Sequence, residues 1–343
     1  MSTYSADYPL RRHNTLALPA VAEFYGEAGN LDQLEAARRF AQERRLPRTV
    51  LGEGSNVVLG ERIAGLVVRL VNDDLAVEPL DGQRVRLTVG AGHNWHRLVE
   101  QSLQLGWFGL ENLALIPGTA GAAPIQNIGA YGVELERFLH GVHAVEVATG
   151  ERVRFTAAEC QLGYRDSVFK GRCRDRFIIH AVELELSAVA APVLDYPALR
   201  EDLDRHLSRE PEPRDVFEAV CRIRRDKLPD PAGTPNAGSF FKNPIVSADA
   251  ARRLLRRYPD LATFPAGEDR VKLAAAWLID RAGWKGVVRG EVGIHDRQAL
   301  VLFNRGQARA GELLALARDI AASVRERFGV ELEMEPRCYG CRF

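Results

Sequence analysis

The chain has 343 residues, 46% of them apolar, and carries 46 basic against 46 acidic side chains. That length suggests two or three domains at roughly 150 residues each, with enough apolar side chains for real cores. Balanced charge gives no nucleic-acid or membrane-surface patch, no apolar run approaches the ~20 residues of a membrane span, and the N-terminus Met-Ser-Thr-Tyr-Ser-Ala-Asp-Tyr lacks a secretory leader's basic and apolar regions.

Leu31, Leu34, Ala37, Phe40 and Ala41 fall on one helical face. Aliphatic or β-branched runs at 49–51, 57–59, 66–70 and 85–89, separated by Gly, Asn and Asp, predict short strands. Trp95, Leu98, Val99 and Leu103 predict a second helix. Residues 142–148 and 153–155 around Thr149-Gly150 read as a hairpin, and 177–186 as a long strand. The composition changes near Pro192. Glu210-Pro211-Glu212-Pro213 looks like a connector before a helix at 214–227. Helices follow at 248–257, 271–282 and 311–328, with candidate strands at 301–303 and 330–334. Arg252-Arg253 and Arg256-Arg257 share a helical pattern with Leu254 and Leu255, so they read as a solvated face. The chain is α+β, without internal repeats.

Gly52-Glu53-Gly54-Ser55-Asn56 opens like a dinucleotide fingerprint, but Val57 stands where the third glycine belongs and a strand pattern follows. Gly90-Ala91-Gly92 fails similarly at Trp95, and no P-loop exists. Tight glycine turns can still cradle a pyrophosphate on successive backbone N–H groups. Gly118-Thr119-Ala120-Gly121-Ala122-Ala123 is a second such loop, and ordinary tight turns are the alternative for both. Residues 236–244, Asn-Ala-Gly-Ser-Phe-Phe-Lys-Asn-Pro, place the Ser239 hydroxyl on a glycine-bordered turn. Phe240 and Phe241 offer apolar walls or, alternatively, core packing; Lys242 and Asn243 offer polar groups. His93, His96, His140, His143 and His180 show no metal spacing. Cys338 and Cys341 form one Cys-Tyr-Gly-Cys pair, short of a zinc site's four ligands, and read as bystanders. Five cysteines without a framework fit a reducing compartment, so a cytoplasmic protein is expected.

Six blocks, in order, carry a family resemblance. They are Leu-Gly-Glu-Gly-Ser-Asn-Val-Val-Leu at 51–59, Gly-Leu-Glu-Asn-Leu-Ala-Leu-Ile-Pro-Gly at 109–118, Tyr-Arg-Asp-Ser at 164–167, Lys-Leu-Pro-Asp-Pro at 227–231, the Ser239 run, and Gln-Ala-Leu-Val-Leu at 298–302. Pro-Ile-Gln-Asn-Ile-Gly-Ala-Tyr-Gly at 124–132 supports them. With Asn14-Thr15-Leu16 and Glu335-Pro336-Arg337 at the two ends, nearly the whole chain resembles the UDP-N-acetylenolpyruvoylglucosamine reductase family, flavoenzymes of bacterial cell-wall precursor synthesis. The resemblance implies a two-part FAD-binding domain of the vanillyl-alcohol oxidase type at 14–190 (about 14–70 and 71–190). It further implies a loop and connector at 191–213, a smaller α+β substrate-binding domain at 214–329, and a C-terminal strand and tail at 330–343 returning to the active site.

It also implies noncovalent FAD, NADPH as electron donor, and UDP-N-acetylglucosamine enolpyruvate as substrate, in a monomer without nucleic-acid or membrane partners or metal. Cofactor contacts carry over to Gly52, Gly54, Ser55, Asn56, Gly118, Thr119, Ala120, Gly121, Ala122, Ile125 and Gly129. Catalytic roles carry over to Arg165 as carboxylate clamp, Ser239 as proton donor and Glu335 as partner of the enolic intermediate. Substrate contacts carry over to Tyr131, Tyr196, Lys227 and Asn243, with Gln298 a weaker match; Tyr196 resembles the tyrosine of a loop that closes over the diphosphate. For Arg165 the residues alone favour a surface ion pair with Asp166 or Asp175. Period two puts Glu333 on the face of Glu335, and Lys242 is a candidate neighbour for Ser239. The chain departs from the family at Ala122 and Ala123, often Ser, and at Pro336, usually Val. A flavin oxidase with His93 as tether and a nucleotide-sugar sensor without turnover are the competing readings.

Overall fold

The computed structural model describes residues 4–343. Their contacts form two units: residues 4–7, Glu23–Glu53 and Ala64–Asp226 in the first, and Tyr8–Ala22, Gly54–Ile63 and Lys227–Phe343 in the second. Residues 14–22 and 54–63 thus pack with the C-terminal part, and 214–226 with the N-terminal part.

The first unit contains a five-stranded antiparallel sheet in the order Arg152–Thr156, Leu139–Glu146, Phe177–Ser187, Arg84–Gly90, Leu75–Pro79. Alternation sets its register. Val182 faces Val89, Leu184 faces Leu87 and Leu186 faces Val85, and all six are buried. Each such side chain contributes about 1.5–3 kcal/mol relative to leaving it exposed. Helix Trp95–Gln104 adds Trp95, Leu98 and Val99 to this core; Asn94 caps it by accepting from the Arg97 N–H at 2.9 Å. Helices Pro197–His206 and Pro213–Lys227 add Leu199, Leu203, Val216 and Val220. A second cluster joins Leu34, Ala37 and Ala41 of helix Leu31–Glu43 to Leu66, Val68 and Leu70. Strands Arg48–Leu51 and Arg62–Leu70 pair in parallel beneath it.

In the second unit, strands Asn236–Ser239, Val301–Asn304, Val292–Ile294 and Val288–Arg289 form one sheet in that order. Its core gathers Leu16, Val58, Phe240, Phe241, Leu278, Leu302, Leu313 and Ile320. Helix Ala248–Arg257 starts on the Ser247 cap, and helix Ala310–Phe328 ends at Gly329 with φ +66°. The last strand, Arg337–Tyr339, pairs in parallel with Val57–Leu59.

Two expectations need correction. The helix expected over 271–282 is strand Arg270–Leu273 followed by helix Ala275–Arg281. Pairing with Ile245–Ser247 and Thr263–Pro265 overrides helical propensity there. The strand expected over 330–334 is an extended segment with a single bridge from Met334 to Phe241; the ladder begins only after Pro336, which has no N–H to donate.

Candidate functional site

Strand Arg48–Leu51 delivers Gly52 directly against the second glycine loop. A Cβ on Gly52 would lie 2.4 Å from Thr119 Oγ1, and one on Gly121 would lie 2.5 Å from the Ala91 Cβ. Glycine at these two positions lets the backbone come up against the Thr119 side chain and against Ala91. Glu53, missed at the sequence level, ties the loops: its carboxylate accepts from Asn94 Nδ2 at 2.6 Å and from the Gly118 N–H at 3.1 Å. The N–H groups of Ala120, Gly121 and Ala122 are spent on His93, Ala91 and Thr119 carbonyls at 2.9–3.0 Å. The amide nest expected over 118–123 is therefore not formed by these three. The loop itself runs into a short 3₁₀ turn, Ala120–Ile125. Its threefold period exposes Ala122 and Ile125 together while Ala123 is buried. Gly54, in the second unit, has φ +67° and would place a Cβ 2.2 Å from the His13 carbonyl. Its carbonyl accepts from the Thr15 N–H at 3.1 Å, and Ser55 and Asn56 lead on into strand Val57–Leu59. Glycine-lined backbone of this kind fits a flat, phosphate-bearing cofactor.

Arg165 stands at the tip of a tight turn. Gly163 and Asp166 exchange both backbone hydrogen bonds at 3.1 Å, and Arg165 holds φ +53°. A non-glycine residue there costs about 1–3 kcal/mol, which surrounding structure must impose. Asn127 imposes it. This asparagine is fully buried, has φ +44°, donates to the Gly163 carbonyl at 3.1 Å and to Glu134 at 2.9 Å, and accepts from the Glu136 N–H at 3.0 Å. The guanidinium donates to the carbonyls of Asn127 at 3.3 Å and Gly129 at 2.7 Å. It is thus aimed by backbone carbonyls at the 127–129 segment, and the Asp166 carboxylate instead accepts from the Ser167 N–H at 2.9 Å. The Ser167 hydroxyl donates to the Ile125 carbonyl at 2.6 Å, fastening the same segment.

Tyr131, also left-handed with φ +49°, meets Tyr196 edge to face at a centroid distance of 5.2 Å. Buried Asn112 donates to the carbonyls of Tyr131 at 3.0 Å and Val193 at 2.9 Å, anchoring the start of the 192–196 loop. Burial raises the pKa of the Tyr131 phenol, and the nearby charge of Arg224 opposes that rise. Burial pushes the Arg224 guanidinium below its usual value, and the like charge of Arg165 acts in the same direction. The residue is partly exposed, yet its Nε is sealed from solvent without a hydrogen-bond partner. Two guanidinium groups in electrostatic reach of each other make a place for an anion. Arg224 was legible in principle: it lies four residues after Val220 and eight after Val216, on the apolar stripe of its helix. Lys227 ends that helix, exposed, three residues further on.

In the second unit a bulge separates Asn236, opposite Phe303, from Ser239, opposite Val301. Buried Asn236 holds the turn, donating to the carbonyls of Pro229 at 3.1 Å and Thr234 at 2.8 Å and accepting from Gly238 N–H at 2.8 Å. Gly238 has φ +69° and open space where a Cβ would sit, so Ser239 borders room for a ligand. Phe240 and Phe241 are fully buried and serve as core, not as walls of a site. The Glu335 N–H donates to the Phe240 carbonyl at 2.9 Å, so the Glu335 backbone is tied to the residue that follows Ser239. Glu333 is exposed and its carboxylate holds the Lys242 ammonium. That pair separates Glu333 from half-buried Glu335 and occupies Lys242. Asn243 accepts from the Ala275 N–H at 2.9 Å, leaving its Nδ2 for a ligand. Gln298 closes the turn before Val301–Asn304, its carbonyl accepting from the Val301 N–H at 3.0 Å.

Within the first unit, then, Gly129, Tyr131, Arg165 and Tyr196 gather around Asn127 and Arg224; within the second, Ser239 and Glu335 gather around Phe240. Among the described residues no cluster of three or more His, Cys, Asp or Glu could hold a metal ion, and no helix is long and apolar enough to cross a membrane.

A family model described as "UDP-N-acetylenolpyruvoylglucosamine reductase, C-terminal domain" matches residues 230–339, and one described as "FAD binding domain" matches residues 22–156. A UDP-N-acetylenolpyruvoylglucosamine reductase of Burkholderia cenocepacia is 50% identical over 337 residues, covering 97% of this chain and 96% of that protein. One of Pseudomonas putida is 45% identical, covering 96% and 97%. The crystal structure of the Thermus caldophilus UDP-N-acetylenolpyruvylglucosamine reductase superposes with a TM-score of 0.67 at 25% identity, covering 98% of this chain and 99% of that one. A VAO-type flavoprotein of Myceliophthora thermophila shares the fold at a TM-score of 0.51 and 13% identity, over 94% of this chain and 73% of its own.

Proposed function

This chain belongs to the UDP-N-acetylenolpyruvoylglucosamine reductase family, and we propose that it reduces the enolpyruvyl ether of UDP-N-acetylglucosamine enolpyruvate to the lactyl ether of UDP-N-acetylmuramate, in peptidoglycan-precursor synthesis, with NADPH as electron source. FAD, held noncovalently, supplies the hydride for the terminal alkene carbon when bound and reduced. Residues Gly52, Gly54, Ser55, Asn56, Gly118–Gly121, Ala122, Ile125 and Gly129 would hold it, with a Cβ at Gly52 colliding with the Thr119 side chain and one at Gly121 with Ala91.

Negative charge then grows on the carbon beside the carboxylate. Arg165 clamps that carboxylate with a planar, permanently charged guanidinium. Carbonyls of Asn127 and Gly129 preset its direction, so little reorganisation is needed as charge develops. Ser239 delivers the proton to that carbon, and Glu335 stabilises the enolic form or orients the acid. Tyr131, Tyr196, Lys227, Asn243 and Gln298 bind the UDP-sugar, with Tyr196 closing on the diphosphate and Arg224 adding a second cation. A nucleotide-sugar substrate and a nicotinamide donor suit a cytoplasmic monomer.

The observation that supports this reading is the backbone hydrogen bond from the Glu335 N–H to the Phe240 carbonyl, which fastens the Glu335 segment from the far end of the chain to the Ser239 run. Purified protein should be yellow, release intact FAD on denaturation, and bleach with NADPH without oxygen. Addition of the enolpyruvyl nucleotide should restore the colour and form the lactyl product. Bleaching that only oxygen reverses would point to the flavin-oxidase reading instead.

A further inference from the structure

His96 is a half-buried titratable group that nothing above uses. It stands in the first turn of helix Trp95–Gln104, and that turn grips the segment leading into the second glycine loop at three points. The Trp95 indole Nε1 donates to the Leu113 carbonyl at 3.0 Å. The Trp95 backbone N–H donates to the Gly118 carbonyl at 3.0 Å. Between them the Leu115 N–H donates to Nδ1 of His96 at 3.1 Å. Leu115 is held at φ +54°, a left-handed conformation that a non-glycine residue keeps only where its surroundings impose it.

The hydrogen bond fixes the tautomer. A backbone N–H only donates, so Nδ1 presents its lone pair and the imidazole proton sits on Nε2. Turning the ring away would break its stack on Phe217 of helix Pro213–Lys227, 8° from parallel with centroids 5.4 Å apart. A protonated His96 would set one N–H against another and leave the Leu115 donor unpaired. The charged groups facing the ring are Glu100, one turn on along its own helix, and Arg224 and Arg225 of the Phe217 helix. Cys221 of that helix is buried, and burial raises its thiol, so it stays neutral. Burial, with the two arginines, holds the imidazole below its usual value, and Glu100 opposes them.

We infer that His96 is a positioning residue for the flavin: its unprotonated Nδ1 fixes the course of residues 115–118 into the glycine loop, and FAD affinity falls when that nitrogen gains a proton. The inference rests on the reading that Gly118–Ala122 hold FAD. His96 touches no reacting atom and acts through the Leu115 N–H. The direction follows from linkage. FAD binds the gripped loop, the grip needs the unprotonated ring, and a proton therefore competes with FAD. Affinity is complete above the ordinary histidine value of ~6.5 and declines as pH falls below it.

The test is release of FAD from the diluted holoenzyme at about pH 7.5 and about pH 5.5, either side of the ordinary histidine value, read by the fluorescence that flavin gains on leaving the protein. The wild-type dissociation constant should rise about fivefold to tenfold at the lower pH, as for one lost hydrogen bond. His96→Asn keeps an acceptor near the Nδ1 position without a titrating ring, and should hold FAD within about threefold of wild type at both pH values. His96→Phe keeps the stack but orphans the Leu115 N–H, and should bind about tenfold more weakly at both. His180 and the other histidines are the same in all three proteins, so their response to acid cancels. Equal wild-type affinity at the two pH values, or a His96→Asn variant with the wild-type pH dependence, overturns the inference and leaves FAD binding standing. A protein that holds no FAD at either pH overturns the flavin reading of the loop and this inference with it. If a variant fails to fold, nitrogen NMR of wild-type protein with labelled histidines decides: His96 should show the Nε2–H tautomer, and an Nδ1–H form at the higher pH overturns the inference.

Discussion

The backbone N–H of Glu335 donates to the carbonyl of Phe240 at 2.9 Å, so a segment nearly a hundred positions away in sequence is fastened to the run that carries Ser239. Ser239→Ala is expected to leave NADPH-driven flavin reduction nearly intact, because that step takes no proton from this residue. Reoxidation by the enolpyruvyl substrate should slow by ~10²–10⁴, the usual cost of a lost general acid. Both half-reactions are followed by flavin absorbance in rapid mixing without oxygen. Reoxidation at the parent rate would transfer the proton to Glu335 or a bound water.

Arg165→Lys should impair the substrate half-reaction by ~10²–10³ while flavin reduction holds. One ammonium cannot grip the Asn127 and Gly129 carbonyls and still present two parallel donors to a carboxylate. Equal losses in both half-reactions would mark Arg165 as a structural residue of the turn.

Arg224→Met should separate stability from binding. The buried Nε has no partner, so removing the charge should raise the melting temperature of the substrate-free protein or leave it unchanged. Substrate affinity should fall ~10–100-fold, as for one lost charge-assisted hydrogen bond, with FAD content unchanged. A destabilised variant with parent affinity would assign Arg224 to packing alone.

Gly52→Ala should expel cofactor without unfolding the chain. The new methyl meets Thr119 Oγ1 at 2.4 Å, and relief by moving the loop costs about 1–3 kcal/mol, or roughly tenfold or more in FAD affinity. The ratio of flavin to protein absorbance reads this directly. Adding Thr119→Ala should recover part of it; a double variant as poor as the single one would locate the defect elsewhere.

The sheet should weaken in mild acid. Burial, with the charges of His143 and Arg152, holds the His180 imidazole at about 4, against ~6.5 in an unfolded chain. Between those values the unfolded chain binds the extra proton. Stability is therefore complete above ~6.5 and declines as pH falls towards 4. For Glu183, burial would raise the pKa, but hydrogen bonds from Arg154 and His143 outweigh it and hold it at about 2, so that contribution fades only below ~4.3. His180→Gln should retain on the order of 1 kcal/mol more of its stability between pH 7 and 5, discounted for partial exposure. Urea midpoints at the two pH values measure it, and identical pH dependence in both proteins would rule His180 out.

The chain by itself determined its elements where local pattern and tertiary demand agreed. Helices Leu31–Glu43, Ala248–Arg257 and Ala310–Phe328 and strands Val57–Leu59 and Phe177–Ser187 follow from apolar period and caps. The family, the FAD-binding fold and the motif positions were also legible, because backbone demands for glycine and fixed polar side chains write themselves into short runs. Tertiary structure decided the rest. Residues 270–273 became strand because two partners offered ladder hydrogen bonds, and no window of sequence contains those partners. Phe240 and Phe241 went to the core, Lys242 to Glu333, and Glu335 apart from Glu333, for the same reason. The residues that aim Arg165 lie 36 and 38 positions away in the chain. Asn127 and Arg224 acquire their meaning only once burial removes the water that would otherwise satisfy them: the chain specifies which groups must be paired, and only the fold specifies with what.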